Sequence, residues 1–288
     1  MDERKLLKKR KRKDKAFHIL IFLCTIFGVV VLALLLIDIL KKGIPMLKLS
    51  FFTNYPSRVP ERSGIYPAVV GSLLMILLTC LIAFPIGVGT AIYLEEYAKD
   101  NKFTEFIKVN IANLAGVPSI IYGMLGLAAF VRFMGLGRSL ISGSLTMALL
   151  ILPIIIISSQ EALKTVPRSL KEASYALGIT KWQTIVQVSL PFALPGILTG
   201  TILSASRALG EAAPLIVIGA VTYISFTPKS LTDPFTTLPI QIFNWSKMPK
   251  REFQNVAAAG IIVLLIILLA INSIAIILRN KYQIKMKD

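Results

Sequence analysis

The sequence predicts an all-α polytopic membrane protein with six transmembrane helices. Of its residues, 55% are hydrophobic and the mean hydropathy is +0.72. That is more apolar surface than a globular core of this size can hide. The apolar residues fall in long runs with few charges, and Lys and Arg gather in the short segments between the runs, as orientation in a bilayer requires.

Each run is justified in chain order. The first span is expected at 17–37, behind a basic segment at 1–16. Its apolar stretch exceeds the ~7–15-residue core of a signal peptide and lacks a small-residue cleavage site, so it reads as an uncleaved span. The second, 65–94, is longer than the ~20 residues a bilayer needs and is expected to tilt or project. The third is expected at 111–131 and the fourth at 139–157. The fifth runs from 191 into the low 220s and contains two charges, and the sixth, at 257–278, contains none.

Charge sets the orientation. With the N-terminus inside, the inner segments hold twenty Lys and Arg and the outer ones eleven, which puts both termini in the cytoplasm. The organisation is then a basic cytoplasmic N-terminus at 1–16, a first span at 17–37 and an external segment at 38–63. A core of five spans follows at 64–279, then a basic cytoplasmic tail at 280–288. The outer segments carry Phe51, Phe52, Tyr55, Tyr223, Phe243 and Trp245. An aromatic belt at the headgroups accounts for about half of such residues; the others are free to form a docking surface.

Several functions are excluded. The net charge of +17 is dispersed among loops, not gathered into a nucleic-acid-binding patch. Cys24 and Cys80 lie within apolar runs, which argues against a disulfide framework or a zinc site. Leu23 before Cys24 does not fit a lipoprotein cleavage site. His18 is the single histidine and reads as an interfacial side chain. No GxxxxGK[ST] is present, so ATP hydrolysis would need another polypeptide, and no cofactor is expected.

The segment 158–190 is the longest inner loop. Thr165 is placed to cap a helix with Pro167 in its first turn. That helix is expected to run through Leu177 and to end at Gly178 in a left-handed turn. Thr180 and Gln183 fit a capping box that opens a second helix toward Leu190. Leu170, Ala173, Ser174 and Leu177 fall on one side of the first helix. A plain amphipathic connecting helix on the membrane is the alternative.

Glu172-Ala173-Ser174, Gly178, Val188, Leu190 and Pro191 also resemble the EAA loop of ABC importer permeases, with pattern E-A-A-x3-G-x9-I-x-L-P. Ser replaces the second Ala, and Val replaces Ile. The runs 64–73, 86–97 and 115–123, and above all 207–215 with 238–243, are similar to the A-type (PstA-type) permease subunits of phosphate-specific importers. The resemblance extends from about residue 64 to the C-terminus. It implies the type I ABC importer permease fold, with Glu172, Ala173, Gly178, Leu190 and Pro191 coupling the chain to an ATPase. It also implies a second related permease subunit, two copies of an ATP-binding subunit and an external phosphate-binding protein. Another oxyanion, such as sulfate or molybdate, is the alternative substrate.

Arg207 and Glu211 are the charges expected deep in a span. A charge at mid-membrane costs ~2.5–3.5 kcal/mol on insertion scales, so it normally faces a cavity or a partner. Their four-residue spacing lets them pair, and Ser204 adds a hydroxyl nearby. Arg207 is the candidate for lining an anion route, since guanidinium offers paired donors to an oxyanion. An internal salt bridge that packs the helix is the alternative. A secondary anion transporter would leave the EAA loop unexplained, and the spans offer no enzyme-like dyad or metal cluster.

Overall fold

A computed structural model describes residues 3–221 and 223–282, and among them every regular element is helical. Met1, Asp2 and the tail from 283 to 288 lie outside the described residues. Helix α1, Glu3–Gly43, contains the first expected span. Its apolar side chains from Phe17 to Ile37 are exposed, as lipid-facing residues are. It meets the bundle at Gly43, where a Cβ would fall 2.5 Å from Ile262 Cδ1 of the last helix, α12 (Glu252–Tyr282).

The bundle is built on α3 (Tyr66–Ile92), α6 (Leu140–Lys164), α9 (Leu190–Gly210) and α12. Helix α6 is central, with Met147, Ile151, Ile155 and Leu163 fully buried. Lipid tails are as apolar as leucine, so close backbone approach and interhelical polar contacts hold such helices together. Both occur here. A Cβ on Gly87 of α3 would lie 2.6 Å from Ile155 Cγ2. Thr79 donates to the Ser144 carbonyl at 3.3 Å, and Ser206 of α9 donates to Asn272 Oδ1 of α12 at 2.8 Å. Asn272 is a polar partner inside the sixth span that the hydropathy pattern conceals.

Five helices are long and apolar enough to cross a membrane, and a bent pair has the length and composition of a sixth, as either a broken span or a re-entrant loop. That pair corrects the expected third span. Instead of one helix over 111–131, α4 (Lys102–Ala115) and α5 (Ser119–Gly126) meet at 100°, and α5 continues as a π-helical turn over Leu127–Phe133. The cause is Pro118, which disfavours helical backbone in the residue before it and is itself extended at ψ 136°. The fifth span is also corrected. Helix α9 stops at Gly210, Glu211 is extended at ψ 124°, and a short helix α10 (Ala213–Ile218) follows. Pro214 lacks the N–H that a continuous helix would use.

The two large segments expected outside the membrane join. Helix α2 (Leu49–Thr53) carries the buried Phe51, whose ring centroid lies 6.0 Å from that of Trp245 on α11 (Leu238–Lys247). These two aromatics form a packed seam, while Phe52, Tyr55 and Tyr223 are exposed. Ser72 of α3 accepts the Leu238 N–H at 2.8 Å and so caps α11 from a distant part of the chain. Asp233 accepts from the Lys229 and Ser230 amides, which hold its carboxyl below its ordinary value.

Candidate functional site

The loop after α6 folds as a helical hairpin. Helix α6 runs to Lys164, beyond the expected end of the fourth span at 157. Thr165 therefore closes α6, donating to the Ala162 carbonyl at 2.7 Å, rather than opening the next helix. Pro167 takes the N-cap position of α7, Arg168–Ala176. Its extended ψ of 133° turns the chain into a helix that has no side-chain cap, and its carbonyl accepts the Leu170 N–H at 3.1 Å.

The end of α7 is tightly specified. Gly178 adopts φ +76°, a region that other residues enter at a cost of roughly 1–2 kcal/mol. Its N–H reaches the Tyr175 carbonyl at 2.9 Å, and the Ile179 N–H reaches Ser174 at 3.3 Å. Together these form a Schellman motif. Thr180 and Gln183 then make the expected capping box at the start of α8, Lys181–Thr184. The second helix does not stop at Leu190. It passes through a π-helical turn, Ile185–Ser189, directly into α9, so Lys181–Gly210 is one run.

Of the four residues expected on one side of α7, Ser174 is buried, while Leu170, Ala173 and Leu177 are exposed. Glu172 is exposed as well, Leu190 is half-buried and Pro191 is exposed in the first turn of α9. With Trp182, which is 61% exposed, and Val186, the hairpin carries an exposed apolar surface.

Three contacts here escaped the sequence reading. Ser174 and Thr184 share a 2.8 Å hydroxyl–hydroxyl bond that clips α7 to α8. Lys171 Nζ lies 2.6 Å from Glu96 Oε1, with side chains 21% and 6% exposed. Lys181 Nζ stands 4.9 Å from the Tyr97 ring centroid. Glu96 and Tyr97 belong to the π-helical turn Tyr93–Tyr97 that extends α3. Only the two serine and threonine hydroxyls, ten residues apart, left a local signal.

The second site lies at the end of α9. Arg207 Nε and Glu211 Oε1 are 3.9 Å apart, too far for a hydrogen bond, and their side chains are 55% and 23% exposed. The structure brings these two together but leaves Ser204 out. That hydroxyl is buried and donates to the Gly200 carbonyl of its own helix at 2.8 Å. Gly210 meets nothing within 4 Å where a Cβ would stand. Beyond the break, α10 packs against α5 closely enough that a Cβ on Gly123 would lie 2.7 Å from Pro214 Cα. The two interrupted spans therefore touch. Non-helical backbone at membrane depth is tolerated only where protein buries it or a water-filled cavity meets it. Broken helices of this kind mark ion and substrate sites in many membrane transporters. No cluster able to hold a metal occurs among the described residues.

Five membrane-crossing helices and a bent helix pair, with an exposed helical hairpin leading directly into α9, define a type I ABC importer permease fold. The chain belongs to the family of binding-protein-dependent transport system inner membrane components, which it matches over residues 83–284. It is 36% identical to the probable ABC transporter permease protein YqgI of Bacillus subtilis, over 88% of this chain and 86% of that protein. It is 32% identical to the phosphate transport system permease protein PstA of Pasteurella multocida, over 92% and 94% of the two chains. Among solved structures it is similar to a chain of a bacterial alginate ABC transporter in complex with its alginate pentasaccharide-bound periplasmic protein. The TM-score there is 0.69, with 14% identity over 96% of this chain and 98% of that one. The chain is thus a multi-pass inner-membrane permease component, and ATP hydrolysis belongs to a separate subunit.

Proposed function

We propose that this chain is the membrane-spanning subunit of an ATP-driven importer that moves inorganic phosphate into the cell. The observation that carries the reading is the near full-length similarity to a phosphate transport system permease. In the assembly, the chain pairs with a second, related permease subunit in the lipid bilayer. Two ATP-binding subunits dock on the cytoplasmic side, and an external phosphate-binding protein delivers the substrate. Both termini are cytoplasmic, in keeping with the excess of Lys and Arg in the inner segments.

The exposed surface of Leu170, Glu172, Ala173 and Leu177, held by the turn at Gly178, receives the ATPase. Leu190 and Pro191 pass its movement into α9. ATP binding draws the ATPases together, displaces the hairpin and opens the route outward. Arg207 attracts the anion at the break in α9. Its guanidinium offers paired donors, and its loose pairing with Glu211 leaves donors free. Ser204 supports this wall through its bond to the helix backbone.

ATP hydrolysis by the reconstituted complex tests the reading. Phosphate-loaded binding protein should stimulate hydrolysis several-fold, and sulfate-loaded or molybdate-loaded binding protein should not. Stimulation by sulfate or molybdate alone would make the substrate another oxyanion.

A further inference from the structure

Resting on the coupling role of the hairpin, we propose that Glu96 and Lys171 form a positioning link that carries the hairpin's movement into the second span, α3. The two residues are 75 positions apart in sequence, yet Lys171 Nζ lies 2.6 Å from Glu96 Oε1. The carboxylate is almost wholly enclosed, with 6% of its side chain exposed, so water screens the attraction poorly. A solvated surface pair would not be held this way.

The surroundings give the link its mechanical meaning. Helices α7 and α8 move as one piece, because the Ser174–Thr184 bond and the Schellman turn fix their angle. The chain itself ties that piece to α9, with which α8 is continuous, and to α6 through Thr165–Pro167. Its ties to α3 are made by side chains. Lys171 on α7 holds Glu96, and Lys181 at the start of α8 sits over the ring of Tyr97. Both helices of the hairpin are therefore fastened to consecutive residues at one end of α3.

That end is a π-helical turn, closed by the Ala98 N–H on the Tyr93 carbonyl at 2.8 Å. Such turns are uncommon and are frequent at functional sites. Helix α3 packs along both α6 and α9. A displacement of the hairpin thus reaches three spans together: two through the backbone and one through Glu96 and Lys171. Without the link, only the looser Lys181–Tyr97 contact and packing against α6 and α9 would carry α3 along.

Uptake and ATP hydrolysis, measured together in vesicles holding the whole complex, test the proposal. ATP-dependent phosphate uptake by the unaltered complex establishes the functional reading first, independently of the link. The pair Glu96→Gln with Lys171→Met then removes the bond without leaving a buried charge unpaired. Assembly and hydrolysis should stay within about twofold of the unaltered complex, while phosphate moved per ATP falls about fivefold or more. The swap Glu96→Lys with Lys171→Glu should restore about half or more of that ratio. An unchanged ratio in the neutral pair overturns the proposal, as does an assembled swap that restores nothing. Failure of the neutral pair to insert assigns the contact to folding and overturns it equally.

Discussion

Ser158 of α6 stands where a side chain on Gly200 of α9 would have to go: a Cβ there would lie 2.3 Å from the serine Oγ. One turn along, the same position on Gly196 would be 2.8 Å from Ala162 Cβ. Two bare positions four residues apart let the fourth and fifth spans pack backbone to backbone. Gly200→Leu should force them apart and cost about 1–3 kcal/mol or more. It should lower the thermal midpoint of the purified protein well below that of Gly210→Ala, whose new methyl group meets nothing within 4 Å. Equal midpoints for the two variants would contradict this packing.

The turn at Gly178 gives a second expectation. Nothing crowds a Cβ at that position, so the whole penalty comes from its φ of +76°. Gly178→Val should strain the hairpin by roughly 1–2 kcal/mol, leave membrane insertion intact and reduce ATPase co-purification. Gly178→Asn should be milder, since asparagine enters the left-handed region more readily. Full ATPase retention with normal transport in the valine variant would remove the hairpin from the docking surface.

How far the sequence was legible follows from which forces act locally. The spans containing Ile151 or Val263 could be read because apolar runs depend on composition alone. The capping box at Thr180 and the turn at Gly178 could be read because each involves residues three or four apart. The breaks at Pro118 and after Gly210 were overlooked because a hydropathy window averages across a backbone interruption. Gly116-Val117-Pro118 and Gly210 through Pro214 were nevertheless signals. The serine that replaces the second alanine at position 174 has a buried hydroxyl partner in Thr184 that the motif alone does not reveal. The Lys171–Glu96 bond could not be read, since its partners meet only after the bundle has assembled.

Arg207 supplies the next test. Glutamines at both Arg207 and Glu211 remove the charges but keep groups that can hydrogen-bond. The ion pair is long at 3.9 Å and largely open on the arginine side, so the double variant should insert and assemble. If Arg207 attracts the anion, phosphate uptake should fall by about tenfold or more while ATP hydrolysis persists, with Arg207→Lys between the two. Near-normal uptake by the assembled double variant would leave Arg207 as a packing residue.

Orientation is tested by labelling. Lys171 is held by Glu96 and is a poor site for a reporter. Arg168, exposed at the start of α7, and Lys229, exposed in the 229–233 turn, serve instead. Cysteines introduced singly at these positions should react with a membrane-impermeant thiol reagent from opposite faces, Arg168→Cys only from the cytoplasmic side. Labelling of both from one face would contradict six crossings.

The central claim, that this chain forms the phosphate route of an ATP-driven importer, is tested most directly by uptake of radiolabelled phosphate into proteoliposomes. The vesicles should contain this chain, its companion permease and the ATPase, with the binding protein supplied outside. Phosphate should accumulate against its gradient only when ATP is present at the ATPase face, and excess sulfate or molybdate should not compete. Accumulation without ATP, or ATP-driven accumulation of sulfate or molybdate in place of phosphate, would contradict the account.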